Sequence, residues 1–193
     1  MQTLLAKITS HRALEARWLN TLSLLEHIGA RKISKTVCQD HPSLAIMEHF
    51  HDETRHAYVL KKMSEALGGE NPGYLCADEA VSYFQMLDHS VCQLIEEHLG
   101  CNNTFTNYAF VTCLIERRAM ALYPLYQKIT KETLVREELE GIINEETNHR
   151  ITIEAKVKKI LSEGKIKSLE PCLTLEAKLF ETFCGSLEKE IRG

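Results

Sequence analysis

Apolar residues return along this chain at three- and four-residue steps, segment after segment, and no stretch sustains the two-residue alternation of a strand. The pattern predicts an all-α protein. A first helix is expected over about 4–37, with Leu14, Trp18, Leu22, Leu25 and Ile33 on one side, until His41-Pro42 interrupts it. A second, over about 43–67, stops at Gly68-Gly69. Residues 70–77, with Asn71-Pro72-Gly73, make a loop, and Asp78 is positioned to cap a third helix over about 79–99. Asn102, Asn103 and Thr104 offer caps for a fourth over about 104–130. A fifth spans about 132–162, and after Pro171 a last helix over about 173–192 carries Leu175, Leu179, Phe183, Leu187 and Ile191. No linker or low-complexity tract divides residues 1–193, so one domain is expected.

Four of these helices carry a carboxylate in the middle of the apolar stripe. At about 100° per residue, Glu26 points with Leu19, Leu22 and Ile33, and Glu53 with Ile46, Leu60 and Leu67. Glu116 points with Phe105, Ala109, Thr112 and Tyr123, and Glu146 with Leu139, Ile142 and Ile153. Two of the four open a Glu-x-x-His: Glu53-Thr54-Arg55-His56 and Glu146-Thr147-Asn148-His149. The chain thus holds two copies of one pattern, a lone Glu followed some thirty residues later by Glu-x-x-His, offset by 90 and 93 residues.

With 23 Glu and 9 His, about one Glu-x-x-His is expected by chance. A third copy, Glu48-His49-Phe50-His51, is present, but Glu48 and His51 lie roughly 140–160° from Glu53 and belong to a solvated face. Depth sets the other two apart. If the helices pair about turns near residues 40 and 131, Glu26, Glu53, His56, Glu116, Glu146 and His149 all fall about 13–18 residues from a turn. At 1.5 Å per residue that is one level, roughly 20 Å along each hairpin. Four unpartnered buried carboxylates would cost many kcal/mol. Two divalent cations would balance them, with two neutral imidazoles completing the donors.

Composition narrows the partners. A net charge of −4 and a pI near 6.1 provide no basic footprint for nucleic acid, and no stretch is apolar enough to span a membrane. The N-terminus lacks a signal-type apolar run, so a cytoplasmic protein is expected. Seven cysteines without a C-x-x-C pair argue against a disulfide framework, a zinc ribbon or a rubredoxin-type iron site.

Taken together, these motifs resemble the ferritin-like di-iron carboxylate superfamily, which includes bacterioferritins, rubrerythrins, ribonucleotide reductase small subunits and bacterial multicomponent monooxygenases. The resemblance covers about residues 4–67 and 104–162 and implies a ferritin-like four-helix bundle with an additional crossover helix and a C-terminal helix. It implies Glu26 and Glu116 as terminal ligands, Glu53 and Glu146 as bridges, and His56 and His149 in one ligand set each. Iron is the implied metal, two ions per chain, with manganese or a mixed pair compatible with the same donors. The implied activity is O2 activation for oxidation or oxygenation of a small substrate, by a monomer or homodimer. Ferroxidase or iron-handling activity, and peroxide reduction with an external electron donor, are the alternatives.

Departures from family patterns matter. The missing cysteine pairs exclude a self-contained rubrerythrin, and Ala119 stands where rubrerythrins add a carboxylate. Beside the ligands, Tyr123 and Thr112 are candidate redox or hydrogen-bonding groups, although a core Tyr and a Thr bonded to its own helix explain them as simply. Ala109, Thr112 and Ala119 are small enough to leave space near Glu116. Arg150 is a candidate charge partner. His49 is expected as a satisfied buried histidine, with a supporting or ligand role as the alternative. His89, Glu96, Glu97 and His98 would form either a substrate entrance or an outer polar face.

Overall fold

The computed structural model describes residues 1–192, and these form seven helices and no strand. They are α1 (Gln2–Ile8), α2 (Arg12–Thr36), α3 (Leu44–Gly68), α4 (Ala77–Leu99), α5 (Thr104–Ile129), α6 (Thr133–Ser162) and α7 (Glu170–Arg192). None is long and apolar enough to cross a membrane. Short connections fold α2 against α3 and α5 against α6, as hairpins whose inner faces make the core. Trp18, Leu19, Leu22, Leu60, Leu139 and Ile142 are each at most 1 % exposed. Burial of such side chains supplies roughly 1.5–3 kcal/mol apiece.

The expected helix over 4–37 is two helices. Thr9 and Ser10 turn their hydroxyls back onto the carbonyls of Ala6 and Lys7, and His11 is extended (φ −131°, ψ 114°). These local side-chain bonds compete with the helical ladder and end α1. The expected Asp78 cap is also corrected: Cys76 holds the N-cap position, in the left-handed region at φ 51°, and Asp78 lies in the first turn. Glu190 of α7 accepts from the Cys76 backbone N–H at 2.8 Å and so ties the start of α4 to α7. Asn103 does cap α5, accepting from the Thr106 N–H at 2.8 Å. Gly69 (φ 79°) and Gly100 (φ 68°) end α3 and α4 in a conformation that penalises a Cβ. The loop before α4 is tied to α2: Asn20 donates to the Gly73 carbonyl and Thr21 to that of Leu75.

α4 and α7 pack on one another and cover the α2/α5 side of the hairpins. The buried stripe of α7 is Cys172, Glu176, Phe180, Phe183 and Leu187, whereas Leu175 and Leu179 are only half-buried. Glu176 shares the face of Phe183 and Leu187, and it receives both nitrogens of the Arg118 fork at 2.7–2.8 Å and the Tyr83 hydroxyl at 2.8 Å, which pair an acid in a core-facing position. Among the described residues no helix covers the opposite side, α3 beside α6, and exposed Leu44, Met47 and Tyr58 lie on α3 and Ile151 on α6. All seven cysteines are free; three are buried and Cys101 is exposed.

Candidate metal centre

One helix from each position of the two hairpins contributes an acid at a common depth. Glu26 (α2), Glu53 (α3), Glu116 (α5) and Glu146 (α6) are 8, 5, 2 and 2 % exposed, and His56 is fully buried. His149 is half-buried, and all six residues singled out from the sequence fall in two donor groups. Glu48 and His51 are exposed and stand outside both.

The donor atoms fall into two groups, each with its atoms within 4.8 Å of one another and each able to hold a metal ion. One is Glu26, Glu53, His56 and Glu146; the other is His49, Glu53, Glu116 and His149. Glu53 belongs to both groups, whereas Glu146, expected from the resemblance to join them too, belongs only to the one with Glu26, Glu53 and His56. His49, whose sequence setting favoured a satisfied core histidine, belongs to the cluster.

Each Glu-x-x-His histidine is oriented by the opposite hairpin. His56 Nε2 donates to Glu145 of α6 at 2.7 Å, and His149 Nε2 donates to Asp52 of α3 at 3.1 Å. Arg55 pairs with Glu145 as well. Asp52 and Glu145 immediately precede Glu53 and Glu146, so each acid pair divides its work: one carboxylate points inward, and its neighbour holds the other hairpin's imidazole. With their Nε2 protons committed, both rings turn Nδ1 into the cluster, 2.9 Å from Glu146 for His56 and 3.8 Å for His149. Neither Nδ1 finds a hydrogen bond of acceptable geometry, nor does Glu116 Oε2. Three buried polar atoms without partners in one cluster are costly in a protein interior and are what a cation would satisfy.

Electrostatics agree. Burial pushes the Glu26 and Glu116 carboxyls well above their ordinary range, and repulsion from neighbouring acids adds to it. Burial opposes charge on His56 too, but the Glu146 contact and the charges of Glu26, Glu146 and Glu53 overcome it, to about 10. Glu146 also resists burial: the adjoining Glu116 carboxyl and the His149 and His56 rings hold it below the usual carboxylate range. The metal-free cluster therefore keeps protons where cations would sit.

Around the donors, Tyr123 donates its hydroxyl to Glu26, so this residue is tied to the cluster rather than only packed in the core. Thr112 is buried one turn before Glu116 and lines a cavity of about 20 Å³ beside Gly29, Glu53 and Glu116. Gly29 leaves room there for the Glu53 carboxylate, since a Cβ at this position would stand 2.8 Å from Glu53 Oε2. Arg150 makes no ion pair among the described residues, and its Nε has no partner. Two spaces of opposite character reach the centre. A cleft of about 550 Å³ between α3 and α6 has His49, His149 and Tyr108 in its wall, with Asp52, Asn148 and Lys156 nearer its rim. A chamber of about 50 Å³ under α4 and α7 touches Glu26, Glu53 and Tyr123 and is otherwise lined mainly by apolar side chains such as Trp18, Leu22, Phe84 and Phe183. His89, Glu96, Glu97 and His98 line neither and are exposed on α4.

Sequence reasoning missed Asp52, Glu145, Tyr108 and Gly29. The doubled acids Asp52-Glu53 and Glu145-Glu146 were the available signal for the first two; nothing local in the sequence marks the others. Comparisons of the chain with protein-family models, curated proteins and solved structures gave no match.

Proposed function

We propose that this chain is a ferritin-like di-iron carboxylate protein that activates O2 to oxidise or oxygenate a small substrate. Hairpins α2/α3 and α5/α6 are the four-helix bundle of that reading, with α4 the crossover helix and α7 a cover. The observation that carries it is the convergence of His56 Nδ1, His149 Nδ1 and Glu116 Oε2, all buried and unpartnered, within a cluster of four carboxylates. Two divalent cations neutralise the four acids and satisfy those atoms. Iron fits the donor set, as would manganese or a mixed pair.

Two bound ferrous ions would supply two electrons toward O2 reduction. The chain's own residues do the rest. Glu53 joins the two donor groups, while Asp52 and Glu145 fix the tautomer and aim of His149 and His56. Tyr123 holds Glu26 and keeps a hydroxyl proton beside the cluster, since burial and the Glu26 charge strongly disfavour its ionisation. The apolar chamber keeps water from the Glu26 side. The open cleft at His49 and His149 is large enough for an organic substrate, and this favours an oxidase or oxygenase over an iron store.

The test is anaerobic loading with Fe2+ followed by O2, with oxygen uptake and near-ultraviolet absorption recorded on protein of known assembly size. Uptake by a monomer or dimer, stimulated by an external electron donor, supports the reading. No uptake by fully loaded protein would make the metals structural. A many-subunit shell that retains oxidised iron would mean storage, and reaction with peroxide alone would mean a peroxide reductase.

A further inference from the structure

We infer that His49 is a seventh protein ligand and that it makes the two metal seats unequal, one nitrogen-rich and facing the cleft, the other oxygen-rich and enclosed. The inference rests on the two-metal reading and extends it to a residue outside the doubled motif.

His49 precedes Glu53 by four residues, so His49, Glu53 and His56 stand at i, i+4 and i+7 on one face of α3. The corresponding position of the other hairpin, four residues before Glu146, is Ile142, which is fully buried in the core and has no donor. The two halves repeat each other in Glu and Glu-x-x-His, and differ here. His49 is 8 % exposed, and its Nε2 lies 3.2 Å from Glu53 Oε1 and 3.1 Å from Glu116 Oε1. Both neighbours are acceptors, so only a proton or a cation can sit between them and the nitrogen. Its Nδ1 lies 2.9 Å from the Tyr108 hydroxyl. That contact lets Nδ1–H donate to Tyr108 while Nε2 turns a lone pair on the carboxylates, the same division seen at His56 and His149 with the nitrogens exchanged. Glu116, 2 % exposed, meanwhile keeps Oε2 without a partner. A structural histidine bridging two acids would leave that atom unsatisfied.

The consequence is a division of labour. The seat of His49, His149, Glu116 and Glu53 has two imidazoles and lies in the wall of the 550 Å³ cleft. The seat of Glu26, Glu53, His56 and Glu146 has one imidazole and is buried throughout. Nitrogen donors favour late first-row divalent ions, and oxygen donors favour manganese and magnesium. Because its histidines line the cleft, the ion of that seat should be the first that a chelator reaches.

Cobalt(II) reports the ligands directly. Loaded with two equivalents of Co2+ under anaerobic conditions, the intact protein should show three exchangeable, hyperfine-shifted imidazole N–H resonances, for His49, His56 and His149. His49→Gln should keep two of them and bind one of its two Co2+ ions at least about tenfold more weakly. Two resonances from wild-type protein holding two Co2+ would overturn the ligand role of His49 and leave the two-metal reading standing. So would a His49→Gln variant with an unchanged spectrum and isotherm. Fewer than two Co2+ per wild-type chain would overturn the two-metal reading, and this inference with it. The wild-type resonance count does not depend on how the variant folds.

Discussion

Gly29→Ala should separate the metal centre from the fold. A Cβ at residue 29 would stand 2.8 Å from Glu53 Oε2, whereas ordinary contact begins near 3.4 Å, so the carboxylate must retreat by about 0.6 Å. The other heavy atom in range is Glu53 Cδ, at 3.9 Å, so no backbone resists the new methyl. Alanine in a helix interior is favoured over glycine by about 1 kcal/mol, which offsets the crowding. The metal-free variant should thus melt within about 1 kcal/mol of wild type. Metal sites tolerate displacements of only ~0.2 Å, and Glu53 belongs to both donor groups. Affinity should fall by about 10- to 100-fold, roughly 1.4–2.8 kcal/mol. Thermal denaturation of metal-free protein and anaerobic Fe2+ titration of the same samples measure the two effects. Undiminished affinity in a stably folded Gly29→Ala chain would refute the placement of Glu53 at the junction.

Asp52→Ala and Glu145→Ala should each weaken metal binding about 10-fold or more by releasing His149 or His56, while both partly exposed positions leave metal-free stability nearly unchanged; titration beside melting curves would show it. Loading should expel protons, because His56 is held at about 10 and Glu26 and Glu116 are raised by burial, so affinity should climb with pH. Calorimetry in two buffers of different ionisation enthalpy counts those protons, and a count of zero at pH 7 would contradict the cluster's electrostatics. For the metal-free chain the sign follows from His56: its stabilisation is complete below its ordinary 6.5 and is lost as pH rises through about 10. Away from the centre, Glu15 is buried and raised by burial, and accepts from Tyr126 and Thr130. Its contribution is present below its ordinary 4.5 and lost as pH rises through the higher folded value, so Glu15→Gln should raise the melting temperature at pH 8 and change little at pH 4.

Helical period and mid-stripe carboxylates were readable from the chain because both are local: a 100° step assigns a face, and a rise of 1.5 Å assigns a depth. Hence Glu26, Glu53, His56, Glu116, Glu146 and His149 meet, and Glu48 and His51 do not. What escaped was set by partners on other helices. Asp52 and Glu145 lie one residue, about 100°, from an inward acid, an angle that resembles a solvent face until α3 and α6 are laid side by side. His49 is ambiguous in α3 alone and becomes a candidate ligand only once α5 brings Glu116 and Tyr108 to it. Glu176 interrupts the apolar face of α7, and its partners Arg118 and Tyr83 come from α5 and α4. The break at residues 9–11 escaped for a different reason: side-chain bonds to Ala6 and Lys7 outcompeted a continuous apolar pattern.

The most direct test of the central claim is an anomalous diffraction map at the iron edge from crystals loaded anaerobically with Fe2+. The account predicts two peaks, one amid Glu26, Glu53, His56 and Glu146, the other amid His49, Glu53, Glu116 and His149. A single peak, peaks elsewhere, or an empty cluster closed by hydrogen bonds among its own acids and imidazoles would contradict it.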